Sequence, residues 1–275
     1  MNLKRRETIF GLALALPAVV YIVTMMIYPL GYLIELSFDE GLEYYEYIFR
    51  DAMFGDAVVS TLAIALGSVA MELCFGFIAA LMLSKDFKGR GFIRSLYILP
   101  WAIPTVASAF LWRYVFSNTG WFNSLLTYFG SNAMTNWLIE QPYIPLLIAE
   151  SWKMTPLVML ILLAGLQSIP RELIESSHVD GATAMQSFFH ITLPIMVPVI
   201  VSALVVRLVD ALRIFTSAWI ITGGGGIYPV LGTYIVRLYR HGLLGPSAAA
   251  SVMLVLIVAF SVAVLTYVNR RMAER

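Results

Sequence analysis

A handful of charged side chains stand inside long apolar runs, and their types and spacing pose the first question. Glu72 falls near the middle of the run Val58–Leu83. A carboxyl at that depth is costly unless it faces a bundle interior or a wet cavity. Two readings fit it: a group lining a solute path, or a protonated Glu that hydrogen-bonds a neighbouring helix. Arg207, Asp210 and Arg213 recur at i,i+3, so Asp210 can bridge both arginines. Counted from Leu193, Arg207 lies about 20 Å along a helix. Here too two readings stand, a polar wall for a solute or an ion-pair ladder against a partner subunit. Trp152, between Glu150 and Lys153, suits ring stacking or interface anchoring.

None of this resembles a catalytic set. The sequence has no G-x-x-x-x-G-K-[ST] phosphate cradle, no H-E-x-x-H, no C-x-x-C and no nucleophile elbow. The run Gly223-Gly224-Gly225-Gly226 lacks the following Lys and the strand–helix setting, so it reads as a loop. His178, His190 and His241 are too scattered for a metal set, and no metal site is expected. Cys74 is the one cysteine, which excludes an internal disulfide. The expectation is a chain that is not an enzyme and holds no cofactor of its own.

The elements that position these groups follow from hydropathy. Hydrophobic residues make up 60% and charged residues 13%, with a mean hydropathy of +0.81. That composition belongs in a bilayer. Net charge is +1 and no basic patch is interleaved with aromatics, so no nucleic-acid partner is expected. About 20 apolar residues cross a bilayer core. Six runs qualify, at residues 9–36, 58–83, 95–116, 143–166, 193–212 and 247–268. Pro17 and Pro29 fall in the first and suggest a bend or a re-entrant end; Pro100 and Pro104 are expected inside the third. Tyr44, Tyr45 and Tyr47 suggest a short helix at the membrane surface. The reading is all-α: a single transmembrane domain over residues 1–275. Lys4, Arg5 and Arg6, then Lys85, Lys88, Arg90 and Arg94, then Arg270, Arg271 and Arg275 fall on one side. This bias puts both termini in the cytoplasm of a multi-pass protein of the cell membrane.

One polar island, residues 170–190, interrupts the apolar pattern. Pro170 can open a helix, Glu172 and Glu175 lie near its positive end, and Gly181 can close it. A second short helix would place Ala182, Met185 and Phe189 on one side, before a separate span begins at Pro194. The product is a helix–Gly–helix elbow facing the cytoplasm.

The island carries Glu175-Ser176-Ser177, Asp180-Gly181-Ala182 and Ile191-Thr192-Leu193-Pro194. It resembles the EAA loop of ABC-importer permeases, with serines at the two Ala positions. Ile98-Leu99-Pro100 with Trp112, Asn123-Ser124-Leu125-Leu126, and Thr222-Gly223-Gly224-Gly225 with Thr233-Tyr234-Ile235 extend the likeness. These are similar to the maltose/trehalose-type carbohydrate permeases, in their MalF-like half. The resemblance implies a type I importer fold of six transmembrane helices with a cytoplasmic EAA-type coupling helix. It implies a second, related permease as a heterodimer partner, two ABC ATPase subunits that hold ATP and Mg, and an extracytoplasmic solute-binding protein. The implied substrate is a di- or oligosaccharide such as trehalose or maltose, moved by alternating access. Leu173, Glu175, Ser176, Ser177, Asp180, Gly181, Ala182, Met185 and Phe188 are then the ATPase-coupling residues. Glu175, Asp180 and Gly181 would hold the elbow's shape, and Leu173, Met185 and Phe188 would supply its buried face. Glu72, Trp152, Arg207 and Asp210 are the pathway candidates. Two alternatives stay open: an ABC permease for another solute, such as glycerol phosphate or an amino acid, and an ion-coupled secondary transporter.

Overall fold

The computed structural model describes residues 3–130, 135–224 and 228–273; Gly225, Gly226 and Arg275, named above, lie outside them. All regular structure among the described residues is helical. Among the described residues, five helical stretches are long and apolar enough to cross a membrane, or six where a sharply bent pair is counted as one span.

The first apolar run forms one rod. Helix α1 spans Leu3–Ile22, a π-helical turn Val23–Ile27 follows, and α2 spans Tyr28–Ser37. The wide turn sits just ahead of Pro29, which occupies the first turn of α2. A proline there has no N–H to return to the preceding turn, and a π turn absorbs the mismatch. The rod therefore continues through its prolines and does not re-enter. Most of its side chains are exposed, and Ser37 at its end is buried.

Contacts group the chain into two compact units. The first comprises Met1–Ala52 with Ile235–Val255. Here α3, Glu43–Arg50, is tied to the end of α2 by Ser37 Oγ and Tyr45 OH at 2.9 Å. Phe38 and Tyr45 pack beside that bond with ring centroids 5.0 Å apart.

The second unit comprises Met53–Tyr234 with Leu256–Arg275. It holds α4 (Ala52–Ser84), α5 (Arg90–Ala102), α6 (Thr105–Val115), α7 (Trp121–Tyr128), α8 (Trp137–Glu140) and α9 (Tyr143–Gln167). Then come α10 (Arg171–Val179), α11 (Ala184–Ser187), a π turn Phe188–Thr192, α12 (Leu193–Leu212) and α13 (Thr216–Ile221). Helices α14 (Leu231–Arg240) and α15 (Leu244–Ala273) complete the chain. The core runs between α4, α9 and α12. Ala80, Val158, Met159, Leu162 and Met196 fill one layer, and Ala65, Val69, Leu208, Ala211 and Leu212 another. Spans in lipid gain little from hydrophobic burial and rely on close packing. Gly165 shows how close: a Cβ there would stand 2.8 Å from Val199 and 3.0 Å from Met196.

The third span departs from the expectation of two prolines within one helix. Pro100 does lie inside α5, but the chain bends by 91° between α5 and α6. Proline forces the residue before it toward extended backbone, and Ile103 has φ −73° and ψ 131°. The freed carbonyl of Ile103 does not go unpaired. Lys153 Nζ, on α9, donates to it at 3.1 Å and to Thr105 Oγ1 at 2.6 Å. Lys153 is itself buried, so the break is closed by protein.

Candidate coupling elbow and buried charge cluster

The elbow is built almost wholly by local bonds. Pro170, in extended backbone, precedes α10. At the other end Gly181 takes φ +81°, the left-handed region that side chains avoid. The Gly181 N–H donates to the His178 carbonyl at 3.1 Å, and the Ala182 N–H to the Ser177 carbonyl at 2.9 Å. Those two bonds are the paired closure that a left-handed glycine makes possible at a helix end. Thr183 then caps α11: its Oγ1 accepts from the Gln186 N–H, and the Gln186 side chain accepts from the Thr183 N–H at 2.8 Å. The arms are joined where Ser177 Oγ meets Ser187 Oγ at 3.0 Å.

Two expectations change here. The side chains of Glu175 and Asp180 are exposed and make no hydrogen bond or ion pair among the described residues. With no bond from either carboxylate, the shape comes from Gly181, the capping box and the serine pair. The second arm is also no separate helix. It continues through the π turn into α12 as one apolar helix, Ala184–Leu212. As in the first span, the π turn sits just ahead of a proline, Pro194 in the first turn of α12.

Leu173, Met185 and Phe189 are open on the elbow, and Val179, which sequence reasoning missed, is 88% exposed. Val179 is the apolar residue just before Asp180-Gly181, and that position was its signal. Ser176 is exposed, Ser177 is buried and Ala182 is half-buried. Of the three residues expected on the buried face, Leu173 and Met185 are exposed, while Phe188, half-buried, packs on Phe77 of α4 with centroids 5.8 Å apart. The helix phase that turns Phe189 outward turns Phe188 toward the bundle. Asp86, after α4, is the ionic neighbour, accepting from Arg90 at 2.8 Å and from Arg171 of α10 at 3.4 Å. A cavity of about 790 Å³ lies behind the elbow, lined in part by Lys85, Arg171, Glu175 and His178.

The second constellation lies deep among α4, α9 and α12. Arg207 and Glu72 are 1% and 0% exposed, so neither faces a solute path. Arg207 Nε donates to Glu72 Oε2 at 2.6 Å and Nη2 donates to Oε1 at 3.0 Å. Nη1 donates to Asp210 at 2.6 Å. Glu150 approaches Nη2 at 4.0 Å and accepts from Ser217 at 3.2 Å. Of the expected ladder, the Arg207–Asp210 rung is present and the Asp210–Arg213 rung is not. Arg213 is exposed and makes no ion pair among the described residues, while Arg207 turns across to Glu72. Glu72 is neither a wet lining group nor a lone protonated acid; it is half of a forked ion pair. Sequence spacing showed the neighbours along α12 but could not show a partner 135 positions away. Asp210 keeps a half-exposed side chain. Trp152 packs edge-on to Trp112 at 5.6 Å. It also lines a mostly apolar cavity of about 410 Å³ with Phe75, Tyr97, Pro100 and Thr155. No group of His, Cys, Asp and Glu among the described residues could hold a metal ion.

A family model described as "binding-protein-dependent transport system inner membrane component" matches residues 72–274. The chain belongs to this family. The matched stretch holds the elbow and every member of the buried charge cluster. Among curated relatives, this binding-protein-dependent permease is 34% identical to the trehalose/maltose transport system permease protein MalF of Thermococcus litoralis. That match covers 95% of this chain and 94% of the relative. It is also 34% identical to the trehalose transport system permease protein SugA of Mycobacterium tuberculosis, over 90% of this chain and 85% of that one. Among solved structures it resembles a bacterial ABC transporter involved in the import of the acidic polysaccharide alginate. The TM-score there is 0.85 at 27% identity, covering 98% of this chain and 96% of that one. The resemblance read from the elbow motif is borne out, as is the all-α fold class of a type I importer permease.

Proposed function

We propose that this permease forms half of the translocation path of an ATP-driven importer for a carbohydrate, a di- or oligosaccharide of the trehalose/maltose kind. The observation that carries the reading is the elbow. It is a locally closed turn that presents Leu173, Val179, Met185 and Phe189 outward and runs without a break into a span. Exposed apolar side chains clustered on a polar turn suit a protein partner. In this reading the partner is an ABC ATPase, which holds the ATP and Mg; the chain itself has no phosphate cradle. Two ATPases and a second, related permease complete the assembly, and an extracytoplasmic binding protein delivers sugar. The elbow and both termini face the cytoplasm. ATP binding draws the ATPases together, the elbows follow, and the spans tilt from inward-open to outward-open. Trp152 and Asp210, which keep some exposure, are the pathway candidates; Glu72 and Arg207 act from behind.

The test is uptake by proteoliposomes holding the assembled complex with its binding protein, across a panel of sugars. ATP-dependent uptake of a disaccharide is expected. Uptake that runs on an ion gradient with no ATP would overturn the reading. Glycerol phosphate or an amino acid as the transported solute would overturn its carbohydrate part.

A further inference from the structure

We infer that Arg207 is a positioning residue that locks α4, α9 and α12 into one moving block, so that displacement of the elbow carries all three spans together. This rests on the importer reading above and deepens it.

Helix α12 is built as a lever. From Ala184 to Leu212 the chain is one apolar helix, so no loose link separates the elbow from Arg207. At the far end of that lever the guanidinium is spread over three helices. Its Nε and Nη2 edge is taken by Glu72 of α4, at 2.6 and 3.0 Å. Its Nη1 holds Asp210 on α12 itself. Its Nη2 also faces Glu150 of α9, whose other oxygen is held by Ser217. Only a planar fork with five donors serves three carboxylates at once. Sliding α12 past α4 would part a desolvated, two-bond ion pair, whereas moving the helices together leaves it intact. Small residues reinforce the same joint, with Gly165 of α9 in close contact with Val199 and Met196 of α12. Motion is then directed to the place where the backbone ladder is already broken, between α5 and α6. That break is pinned to the block by Lys153, one turn along α9 from Glu150. The buried charges thus sort the spans into a part that moves rigidly and a part that bends.

The experiment uses the full complex in proteoliposomes and reads sugar taken up per ATP hydrolysed, beside the sugar KM. A wild-type complex with no ATP-driven uptake would sink the importer reading and not the lock. With a working wild type, Arg207→Lys keeps the charge but loses the fork. Uptake per ATP is expected to fall about tenfold with the sugar KM unchanged. Glu72→Met combined with Arg207→Met removes both members of the forked pair, a change that buried sites often tolerate; it leaves Glu150 its bond from Ser217 and covers the case in which Arg207→Lys does not fold. The same uncoupling is expected. Wild-type uptake per ATP in the double variant overturns the lock. So does a loss confined to sugar KM, which would make Arg207 a solute ligand. A third arm places spin labels at the exposed positions Leu66 and Val206, in a Cys74→Ser background. Their distance is expected to stay fixed between nucleotide-free and ATP-bound complex. A wild-type shift of more than about 2 Å overturns the block.

Discussion

The two ends of the Ala184–Leu212 helix invert the usual rule of protein surfaces. At its start, Met185 and Phe189 are exposed beside polar neighbours. Toward its end, Arg207 is sealed among carboxylates while apolar Val206 faces outward. The first end is held by short-range bonds: a left-handed glycine, a capping box and one serine pair. The second is held by bonds that leap from helix to helix. The difference teaches where stability and coupling reside. Damage at the cluster should loosen the bundle, and damage at the elbow should leave the bundle standing but disconnected.

The sharpest way to break that contrast is to delete the hub alone. Arg207→Met leaves Glu72 and Glu150 buried without a counter-charge, and a loss of about 3–5 kcal/mol is expected. Thermal unfolding of the purified complex in detergent checks it; an unchanged midpoint would mean that the cluster does not hold the bundle. Lys153→Met is next. It strips the donor from the Ile103 carbonyl at the broken span, at a cost of about 1–3 kcal/mol. Faster proteolysis of the α5–α6 junction should report it. Gly181→Ala forces a side chain into left-handed backbone, at about 1–2 kcal/mol felt locally. Here the bundle's unfolding midpoint should barely move while uptake per ATP drops. Gly181→Asp adds bulk and charge at the same bend and should uncouple more completely. A midpoint that falls as far as in Arg207→Met would erase the distinction between the two ends. Ser177→Ala should do least. It removes one hydroxyl pair, about 0.5–1.5 kcal/mol, and leaves the backbone closure of α10 in place. Uptake close to wild type is expected.

The bend of the elbow at Gly181 was legible because most of what shapes it lies within a few residues; the Ser177–Ser187 pair, ten positions apart, was not. Pro170, Gly181, Thr183 and Gln186 act on neighbours three to five positions away, and such bonds follow from residue type and spacing. The apolar runs were legible for a similar reason, since a bilayer imposes a length that any chain must meet. Pro104 was visible too, but not its consequence. A proline in a span either bends it or breaks it according to what can satisfy the freed carbonyl, and here that donor, Lys153, comes from another helix.

The sequence by itself determined that the chain lives in a membrane, where its spans fall, and that a glycine-hinged turn interrupts them. Those features depend on hydropathy and on backbone chemistry that act over short distances. Only the tertiary structure decided that Glu72 belongs to Arg207, that Arg213 does not, and that Lys153 closes the broken span. A desolvated charge takes whichever partner the packing brings within about 3 Å, and packing joins residues with no regard for their separation along the chain.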